Sequence, residues 1–390
     1  MSECRQEWHV TAHYNWVLVG WIVFLVSQPH PAISGEAKAA SPARTIVGAI
    51  RWNAWFGGNT YQRYLAPANW HTRLPFYSTS RRDGSVEVRS DSQQVMDQEI
   101  GYAAAAGLDY WAFCYYHPAS WLEADKYNYG WRLYLSSKRK ADLRFCILLQ
   151  GQHLGPKEKW TETMQTFVRL FREPTYQKVC GDRPLVFMYS VAAVREWAGS
   201  TRTAKEAILE LRQAAARAGV GNPYLVAQVY RPKDGVDSID SLGFDAISAY
   251  SLPGGSGNQE YPFQELAKAN RSFWDTCKAT GKPVVPIVNV GWDNRPRRGN
   301  PAFGDLAGPW FTEPTPAELA DHLGSAIRWN KANPHNAPAN AVIIYAWNES
   351  DEGGWLVPTR SEGAARLNAI AKLLRPPVSQ RATAPLSTIR

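Results

Sequence analysis

The residue pair best suited to chemistry is Glu349 and Glu352, in the stretch AVIIYAWNESDEGGWLVPT near the end of the chain. Glycosidic bond cleavage normally requires two nearby carboxylates that hold their protons with different affinity. A continued strand would place residues three apart on opposite faces and about 10 Å from each other, which suits no such pair. Gly353 and Gly354 instead predict a turn that brings Glu352 back beside Glu349. The alternatives are that both are surface acids of a loop, or that Glu352 begins a helix cap.

Two further acids compete for the same role. Asp351 lies within the predicted turn, but as the immediate neighbour of Glu352 it is expected to point away from it. Asp293 follows a strand in NVGWDNRPR, where a substrate contact or a salt bridge to Arg295 explains it as well as catalysis does. Glu349 and Glu352 therefore remain the favoured pair.

Other chemistries have little support in the sequence. It contains no G-x-S-x-G nucleophile elbow, no H-E-x-x-H zinc motif and no P-loop. His117 and His153 follow neighbouring strands, but no third ligand has suitable spacing, so substrate hydrogen bonding is the favoured interpretation of both. We therefore predict neither a metal nor an organic cofactor.

Eight short apolar runs are predicted to be the strands that position these residues. Each run is nearly continuous rather than alternating, which is typical of parallel strands covered by helices. The runs are TIVGAIRW (45–52), LDYWAFCYY (108–116), LRFCILLQ (143–150), PLVFMYS (184–190), YLVAQVY (224–230), FDAISAYS (244–251), PVVPIVNVGW (283–292) and AVIIYAWNE (341–349). Helical patterns lie between them, and several end at a glycine, as in TAKEAILELRQAAARAG. The pattern predicts an α/β fold, a single-domain (β/α)8 TIM barrel with enlarged loops.

An open doubly wound sheet is the competing architecture. It would usually bind a nucleotide through G-x-G-x-x-G after the first strand, whereas this sequence has only WFGGN at 55–59. The fifth and sixth runs are separated only by RPKDGVDSIDSLG, so the helix between them is expected to be short. This weak separation leaves one strand assignment open.

In a (β/α)8 barrel the active site lies at the carboxyl ends of the strands, and here those ends are polar and aromatic. Hydrogen-bonding groups and flat aromatic faces suit a carbohydrate cleft, although single aromatics are equally explained as caps of the barrel core. The candidate substrate-binding residues are Trp52, Asn53, Tyr115, Tyr116, His117, Gln150, His153, Tyr189, Tyr230, Tyr250, Asn289, Trp292, Asp293, Trp347 and Asn348. Gln152 and Gln228 also occupy strand ends.

The composition favours a sugar ligand over a nucleic acid. The 390 residues include 17 Trp and 18 Tyr, more than packing alone usually needs. A net charge of +8 is compatible with an anionic partner, either nucleic acid or an acidic polysaccharide. The basic residues are scattered except in SKRK (137–140) and RPRR (295–298), and each run is interpreted as a solvated face. We predict a monomer that binds a polysaccharide or oligosaccharide and no nucleic acid.

The first 40 residues differ from the rest of the chain. NWVLVGWIVFLVS is shorter than the roughly 20 apolar residues that span a bilayer, which is typical of a secretory signal. The segment before it is not clearly positive, so an uncleaved anchor or a start codon assigned too early stay open. We expect a signal peptide or N-terminal anchor with linker at 1–40, a catalytic domain at 41–375 and a disordered tail at 376–390. The expected location is secreted or periplasmic.

Four segments together resemble the family 71/99-like glycoside hydrolases, which include the endo-α-mannosidases and the WbsX-like proteins of polysaccharide gene clusters. They are GAIRWNAWFGG, GLDYWAFCYYHP, VNVGWDNRPR and AWNESDEGGWLVPT, and the N-E-x-x-E-G element at 348–353 is the most specific. The resemblance covers most of residues 45–375. It implies a (β/α)8 barrel whose two catalytic glutamates match Glu349 and Glu352.

The resemblance also implies a role for each glutamate. In the endo-α-mannosidases the earlier one assists the sugar 2-hydroxyl, which displaces the leaving group through a 1,2-anhydro-sugar, and the later one is general acid and then base. Glu349 would then assist the 2-hydroxyl and Glu352 would protonate the leaving oxygen, with net retention. Relatives commonly have Trp after the first glutamate, where this chain has Ser350, so an aromatic wall is either missing or supplied by Trp355.

The leading hypothesis is an exported, metal-independent retaining glycoside hydrolase that cleaves within a polysaccharide or glycan, with α-mannoside as the substrate that the resemblance suggests. The alternative is a carbohydrate-binding or polysaccharide-biosynthesis protein, glycosyltransferase-like, in which the same glutamates bind sugar hydroxyls. The two differ in whether oligosaccharide products are released.

Overall fold

The computed structural model describes residues 44–58, 60–299 and 307–375. Its central sheet has eight parallel strands, each formed by one of the predicted apolar runs, and a ninth strand, Lys178–Val179, pairs antiparallel with the fourth of them. The eight are β1 Ile46–Arg51, β2 Tyr110–Tyr115, β3 Arg144–Gln150, β4 Arg183–Tyr189, β5 Tyr224–Gln228, β6 Ala246–Ser248, β7 Ile287–Asn289 and β8 Ala341–Tyr345. Their spatial order is β7, β8, β1, β2, β3, β4, β5, β6, and a parallel bridge between Ile247 and Val284 closes the ring. The predicted (β/α)8 barrel is confirmed.

Helices alternate with the strands and cover the barrel. They are α1 Gln93–Ala106, α2 Tyr129–Ser136, α3 Trp160–Phe171, α4 Val191–Ala198, α5 Thr201–Arg217, α6 Pro232–Leu242, α7 Phe263–Ala279, α8 Pro316–Ala332 and α9 Ala365–Leu374. Local signals set their ends. Ser92 caps α1 by accepting a hydrogen bond from the backbone N–H of Val95, and Gly107 ends it in the left-handed conformation. Thr315 and Glu318 form a capping box at the start of α8.

Two elements differ in length from expectation. α6 is a full helix of 11 residues, because Pro232 starts it at its first turn and Gly243, with φ 80°, ends it just before β6. The expectation of a short helix there was wrong, and both flanking strands are present. β7 has only three residues, because Pro286 has no N–H to donate to the ladder. Before it, Val285 donates a hydrogen bond to the carbonyl of Ile247.

Strand register brings the predicted polar residues to one edge of the barrel. Tyr189 pairs with Gln150 on one side and with Gln228 on the other. Asn289 at the end of β7 pairs with Tyr345 at the end of β8. Because all these strands are parallel, their carboxyl ends meet at the same barrel mouth.

A second, smaller core lies in the chain between β1 and α1, which we call the β1–α1 segment (residues 52–58 and 60–92). Its short hairpin, Ser78–Ser80 with Val86–Val88, packs beside a 3-10 turn at Tyr61–Leu65. The buried residues of this core are Trp55, Leu65, Leu74, Val86 and Val88. The segment places the ring of Tyr61 4.7 Å from that of Trp52, so it forms part of the barrel mouth.

The predicted signal or anchor (1–40) and the predicted tail (376–390) lie outside the described residues. The domain boundaries therefore stay predictions. Within residues 44–58, 60–299 and 307–375, no helix is both long and apolar enough to cross a membrane.

Candidate active site

The chain reverses direction between the two glutamates. After β8, Asn348–Glu349 pairs antiparallel with Gly354–Trp355, and a 3-10 turn at Ser350–Glu352 connects them. Gly353 ends the turn with φ 83°, a left-handed conformation that a side chain would strain. A Cβ there would also lie 2.5 Å from the backbone nitrogen of Asp293. The tight turn places Glu349 and Glu352 at the mouth of the barrel.

A single guanidinium, that of Arg297, contacts three carboxylates. Its Nε donates to Asp351 Oδ2 at 2.6 Å, its Nη1 donates to Glu352, and its Nη2 lies 3.5 Å from Glu349 Oε2. Arg297 follows β7 in a 3-10 turn and only 8 % of its side chain is exposed. We call Glu349, Asp351 and Glu352 the carboxylate cluster. The expectation that Asp351 points away from its neighbour was wrong, since both bind this guanidinium.

Two tyrosines complete the hydrogen bonding of the glutamates. Tyr250, just beyond β6, donates its hydroxyl to Glu349 Oε1 at 2.5 Å. Tyr345, the last residue of β8, donates to Glu352 Oε2. The Glu349 side chain is 4 % exposed and that of Glu352 is 18 % exposed. Glu352 is therefore the more accessible glutamate.

The environment raises the proton affinity of one member of the cluster, Glu349. Burial, and then the charge of Glu352, raise the pKa of Glu349 well above its ordinary value, and Arg297 opposes this without cancelling it. Burial alone would lower the pKa of Arg297, but Asp351 and then the two glutamates raise it. Arg297 is thus a fixed cation, and Glu349 has a strong tendency to hold a proton.

A cavity of about 490 Å³ opens above the glutamates. Its size and its aromatic, hydrogen-bonding lining are typical of a small-molecule or sugar site. The lining residues are Trp52, Tyr61, Tyr116, Trp121, Tyr127, Gln150, Gln152, His153, Tyr189, Tyr230, Tyr250, Ser251, Trp292, Arg297, Glu349 and Glu352. Both predicted catalytic residues and half of the predicted substrate-binding residues therefore line this cavity.

The remaining predicted residues lie elsewhere. Trp347 points into the helix layer, where its Nε1 donates to Glu99 Oε1 of α1 at 2.7 Å. Glu99 also binds Arg51, and Arg51 donates to the side chain of Asn53 at 2.5 Å. All four side chains are fully buried. Trp347 and Asn53 therefore support the strand ends and do not face the cavity.

Two of the predicted asparagines use their side chains to hydrogen-bond to backbone groups of neighbouring segments. The side chain of Asn348 accepts from the N–H of Trp52 at 2.9 Å and donates to its carbonyl at 2.7 Å. Asn289 accepts from the N–H of Leu252 at 3.1 Å. Both asparagines are buried, and they hold cavity-lining segments in place.

Asp293 and Trp355 belong to a buried arginine-rich network beside the cavity. Asp293 forms ion pairs with Arg73 and Arg295. The salt bridge to Arg295 that the sequence suggested for it is therefore present. The guanidinium of Arg366 lies 3.8 Å from the ring centre of Trp355. Trp355 is 1 % exposed and does not supply the aromatic wall that the sequence suggested.

Tyr115 and His117 line a separate surface pocket of about 350 Å³ near α2 and α3. The ring of Tyr115 packs edge-on against Phe167 at 5.1 Å. His117 Nδ1 accepts from the backbone N–H of Ala119 at 3.1 Å. Neighbouring residues of one strand point to opposite sides, so Tyr116 faces the cavity while Tyr115 faces the helices.

Sequence reasoning missed five cavity residues. Tyr61, Trp121 and Tyr127 lie in loops beyond the strand ends, and Ser251 directly follows Tyr250. Arg297 was assigned to a solvated run, RPRR, and that interpretation was wrong because its guanidinium is buried against acids. The sequence signal for a buried arginine was that these arginines directly follow an apolar strand in VNVGWDNRPR.

The histidine of the cavity is suited to hydrogen bonding. Burial lowers the pKa of His153, which favours the neutral imidazole near pH 7. Its ring lies 4.6 Å from that of Trp121. In the part of the chain that the structure describes, no group of three His, Cys, Asp or Glu is arranged to hold a metal ion.

The fold is that of a glycoside hydrolase-like TIM barrel. The chain is similar to the GH99 endo-alpha-mannosidase from Bacteroides thetaiotaomicron, with a TM-score of 0.54 and 14 % identity over 84 % of this chain and 94 % of that one. It is also similar to a solved glycoside hydrolase-like protein, with a TM-score of 0.57 and 12 % identity over 86 % and 97 % of the two chains. At such low identity these likenesses show the fold alone.

Residues 88–370 match the family described as Glycosyltransferase WbsX, and the chain belongs to this family. A curated relative is the WxcX protein of Xanthomonas campestris pv. campestris (strain B100), which is 29 % identical over 224 residues. That alignment covers 53 % of this chain and 29 % of the relative. The chain therefore matches less than a third of the length of that relative.

Proposed function

We propose that this protein is a retaining glycoside hydrolase that cleaves within a polysaccharide or glycan. The observation that supports it is the pair Glu349 and Glu352, held by one guanidinium at the floor of an aromatic-lined cavity at the carboxyl end of the barrel. Retaining cleavage needs two such carboxylates close together. Aromatic faces and neutral hydrogen-bonding groups around them suit sugar rings.

The proposed reaction has two steps, with roles taken from the family resemblance. Glu349 accepts the proton of the sugar 2-hydroxyl while that oxygen attacks C1, and the bond from C1 to the leaving oxygen breaks. Glu352 gives its proton to the leaving oxygen, and a 1,2-anhydro-sugar remains. Glu352 then takes a proton from water as the water oxygen bonds to C1, and the 2-oxygen regains its proton from Glu349. Two inversions give net retention.

The test is hydrolysis of a panel of polysaccharides, with α-mannans included because the similar solved enzyme is an endo-alpha-mannosidase. Glu349→Gln and Glu352→Gln should each lose most product release, while Glu210→Gln, an exposed glutamate of α5, should behave as wild type. Oligosaccharides of several lengths at early times would indicate internal cleavage. Wild-type turnover by either active-site variant would contradict the proposal.

Glycosyl transfer or non-hydrolytic sugar binding is the second candidate, and the description of the family as a glycosyltransferase favours it. The same glutamates would then bind sugar hydroxyls or activate an acceptor hydroxyl. Adding an acceptor oligosaccharide separates the two candidates. A transferase lengthens the acceptor, a binder shifts in affinity electrophoresis without products, and a hydrolase releases reducing ends.

We also propose that the protein is exported and acts as a monomer. The sequence of the first 40 residues supports export, and it is tested by N-terminal sequencing of protein recovered from the periplasm or medium. A mature N-terminus beyond the apolar stretch would agree with a cleaved signal. Sedimentation of that mature protein would give its oligomeric state.

A further inference from the structure

The floor of the cavity contains more acidic than basic side chains. Arg297 is within 3.5 Å of all three members of the carboxylate cluster. If Glu349, Asp351 and Glu352 were all ionised, two negative charges would be left uncompensated in a largely buried site. Repulsion between like charges at such distances favours the uptake of a proton by one of them. A proton on one of the three acids would remove part of this repulsion.

The contacts of the two glutamates are unequal. Glu352 accepts from Arg297 Nη1 and from the hydroxyl of Tyr345, and it is the more exposed of the two. Glu349 is 3.5 Å from Arg297 Nη2 and accepts from Tyr250 in a more buried position. Donated hydrogen bonds, a close cation and contact with solvent all favour an ionised carboxylate. These contacts favour the proton on Glu349.

Asp351 determines where the guanidinium sits. It is 0 % exposed, and its Oδ2 accepts a hydrogen bond from Arg297 Nε at 2.6 Å. The aromatic rings of Trp52 and Tyr61 lie 5.3 Å and 5.4 Å from the same guanidinium. A planar guanidinium fixed through Nε can present its other two nitrogens in only one direction. That direction is toward the two glutamates.

We propose that Arg297, fixed by Asp351, is a positioning residue that keeps the proton of the free site on Glu349 rather than on Glu352. A consequence is that sugar binding must draw Nη1 away from Glu352 and let the proton pass from Glu349 to Glu352 before the two can act as base and acid. The catalytic consequence rests on the proposed function, but the proton position does not. Besides Arg297 and Asp351, the titratable groups that face the pair are Cys114, Tyr61, Tyr116, Tyr230, Tyr250 and Tyr345.

The proton position can be measured without substrate by infrared difference spectroscopy of the full-length protein during a pH titration. We expect one protonated carboxyl band that persists to neutral pH. The band should disappear in Glu349→Gln and remain in Glu352→Gln. A band that instead remains in Glu349→Gln and disappears in Glu352→Gln, or no such band in wild type, would overturn the proposal.

Two substitutions test the role of Arg297, one that removes its positive charge and one that removes a neighbouring negative charge. Arg297→Met should raise the midpoint of the band by about one pH unit or more and add a second band from Glu352. Asp351→Asn should lower the midpoint by a similar amount, because it removes a like charge from the cluster. Arg297→Lys should restore a single band. General loosening of the fold would move both variants in one direction, and that result would also overturn the proposal.

Circular dichroism confirms that each variant is folded before its spectrum is compared. Failure of this inference is distinguishable from failure of the proposed function. If the glycan panel gives no products but the band follows Glu349, the proton inference stands and the hydrolase proposal fails. If products form but the band is unaffected by Arg297→Met, the hydrolase proposal stands and the positioning role fails.

Discussion

The barrel contains two buried ionic clusters that differ in their charge balance. In the first, which we call the balanced pair, Arg51 and Glu99 are fully buried with Nη2 to Oε2 at 2.6 Å. Neutral groups complete it, since Trp347 donates to Glu99 and Asn53 accepts from Arg51. In the second, the single guanidinium of Arg297 faces the three acids of the carboxylate cluster.

The difference shows why burial alone does not identify a functional acid. In the balanced pair each buried charge compensates the other, and neutral side chains hydrogen-bond to both residues. A surplus of acids cannot remain fully ionised, so one of them acquires a proton affinity that acid–base chemistry can use. The balanced pair supports the fold, whereas the carboxylate cluster is suited to proton transfer.

The largest expected effect is on turnover by the carboxylate cluster. Glu349→Gln should lower hydrolysis about 10²- to 10⁴-fold, the range for loss of a general acid or base. Its free energy of unfolding near neutral pH should stay near that of wild type, because the glutamine amide has the size of the protonated carboxyl group that it replaces. Initial rates and denaturant titration of the same preparation measure both. A large loss of stability would mean that this cluster is structural, as the balanced pair is.

Substitution in the balanced pair should mainly lower the free energy of unfolding. Glu99→Ala leaves Arg51 uncompensated and removes the acceptor of Trp347, so we expect a loss of about 3–5 kcal/mol in unfolding free energy. The matched control is Arg202→Ala, which breaks an exposed pair with Glu206 at 3.7 Å and should change stability by less than about 0.5 kcal/mol. Equal effects of the two substitutions would remove the distinction between buried and exposed pairs.

The two clusters should also differ in their pH dependence. Because the pKa of Glu349 is raised in the folded state, its contribution to stability is fully present below the pKa of the unfolded chain. That contribution is lost as the pH rises through the folded pKa. Glu349→Gln should therefore flatten the decline of stability above the ordinary carboxyl range. Identical pH profiles for this variant and wild type would contradict the raised pKa.

A smaller effect is expected at the hydrogen bond to Glu349. Tyr250→Phe removes a donor that favours the ionised form, so the acid limb of the activity profile should move to higher pH and turnover should fall about tenfold. The control is Tyr224→Phe, a buried tyrosine at the opposite end of the barrel. If both variants give the same pH profile, the bond from Tyr250 has no part in setting the proton affinity.

The fold was predictable because each barrel strand is a nearly continuous apolar run with helical patterns on either side. The differences had local causes. Pro286 shortened β7, and α6 fills nearly all of the short stretch between β5 and β6 because Pro232 starts it and Gly243 ends it. Neither feature changes the order of strands, so the architecture followed from the pattern of runs.

The site was only partly predictable, because side-chain direction depends on register and on contacts distant in sequence. Tyr115 and Tyr116 are adjacent residues of the same type, yet Tyr115 packs against the helices and Tyr116 lines the cavity. Trp347 lies beside the glutamates in sequence, and its partner Glu99 is on α1. Arg297 belongs to a basic run, and its acidic partners follow more than 50 residues later. Such pairings cannot be deduced from local spacing.

Asn348 has a consequence for how the protein is made. Its side chain binds both backbone groups of Trp52, 296 residues earlier in the chain, so it completes a contact between the first and last barrel strands. During synthesis Trp52 leaves the ribosome long before Asn348 exists, and contacts of such long separation form late in folding. Chain fragments that end before β8 therefore lack both the glutamates and this connection. The carboxylate cluster therefore comes together only after β8 and the turn that follows it have been translated.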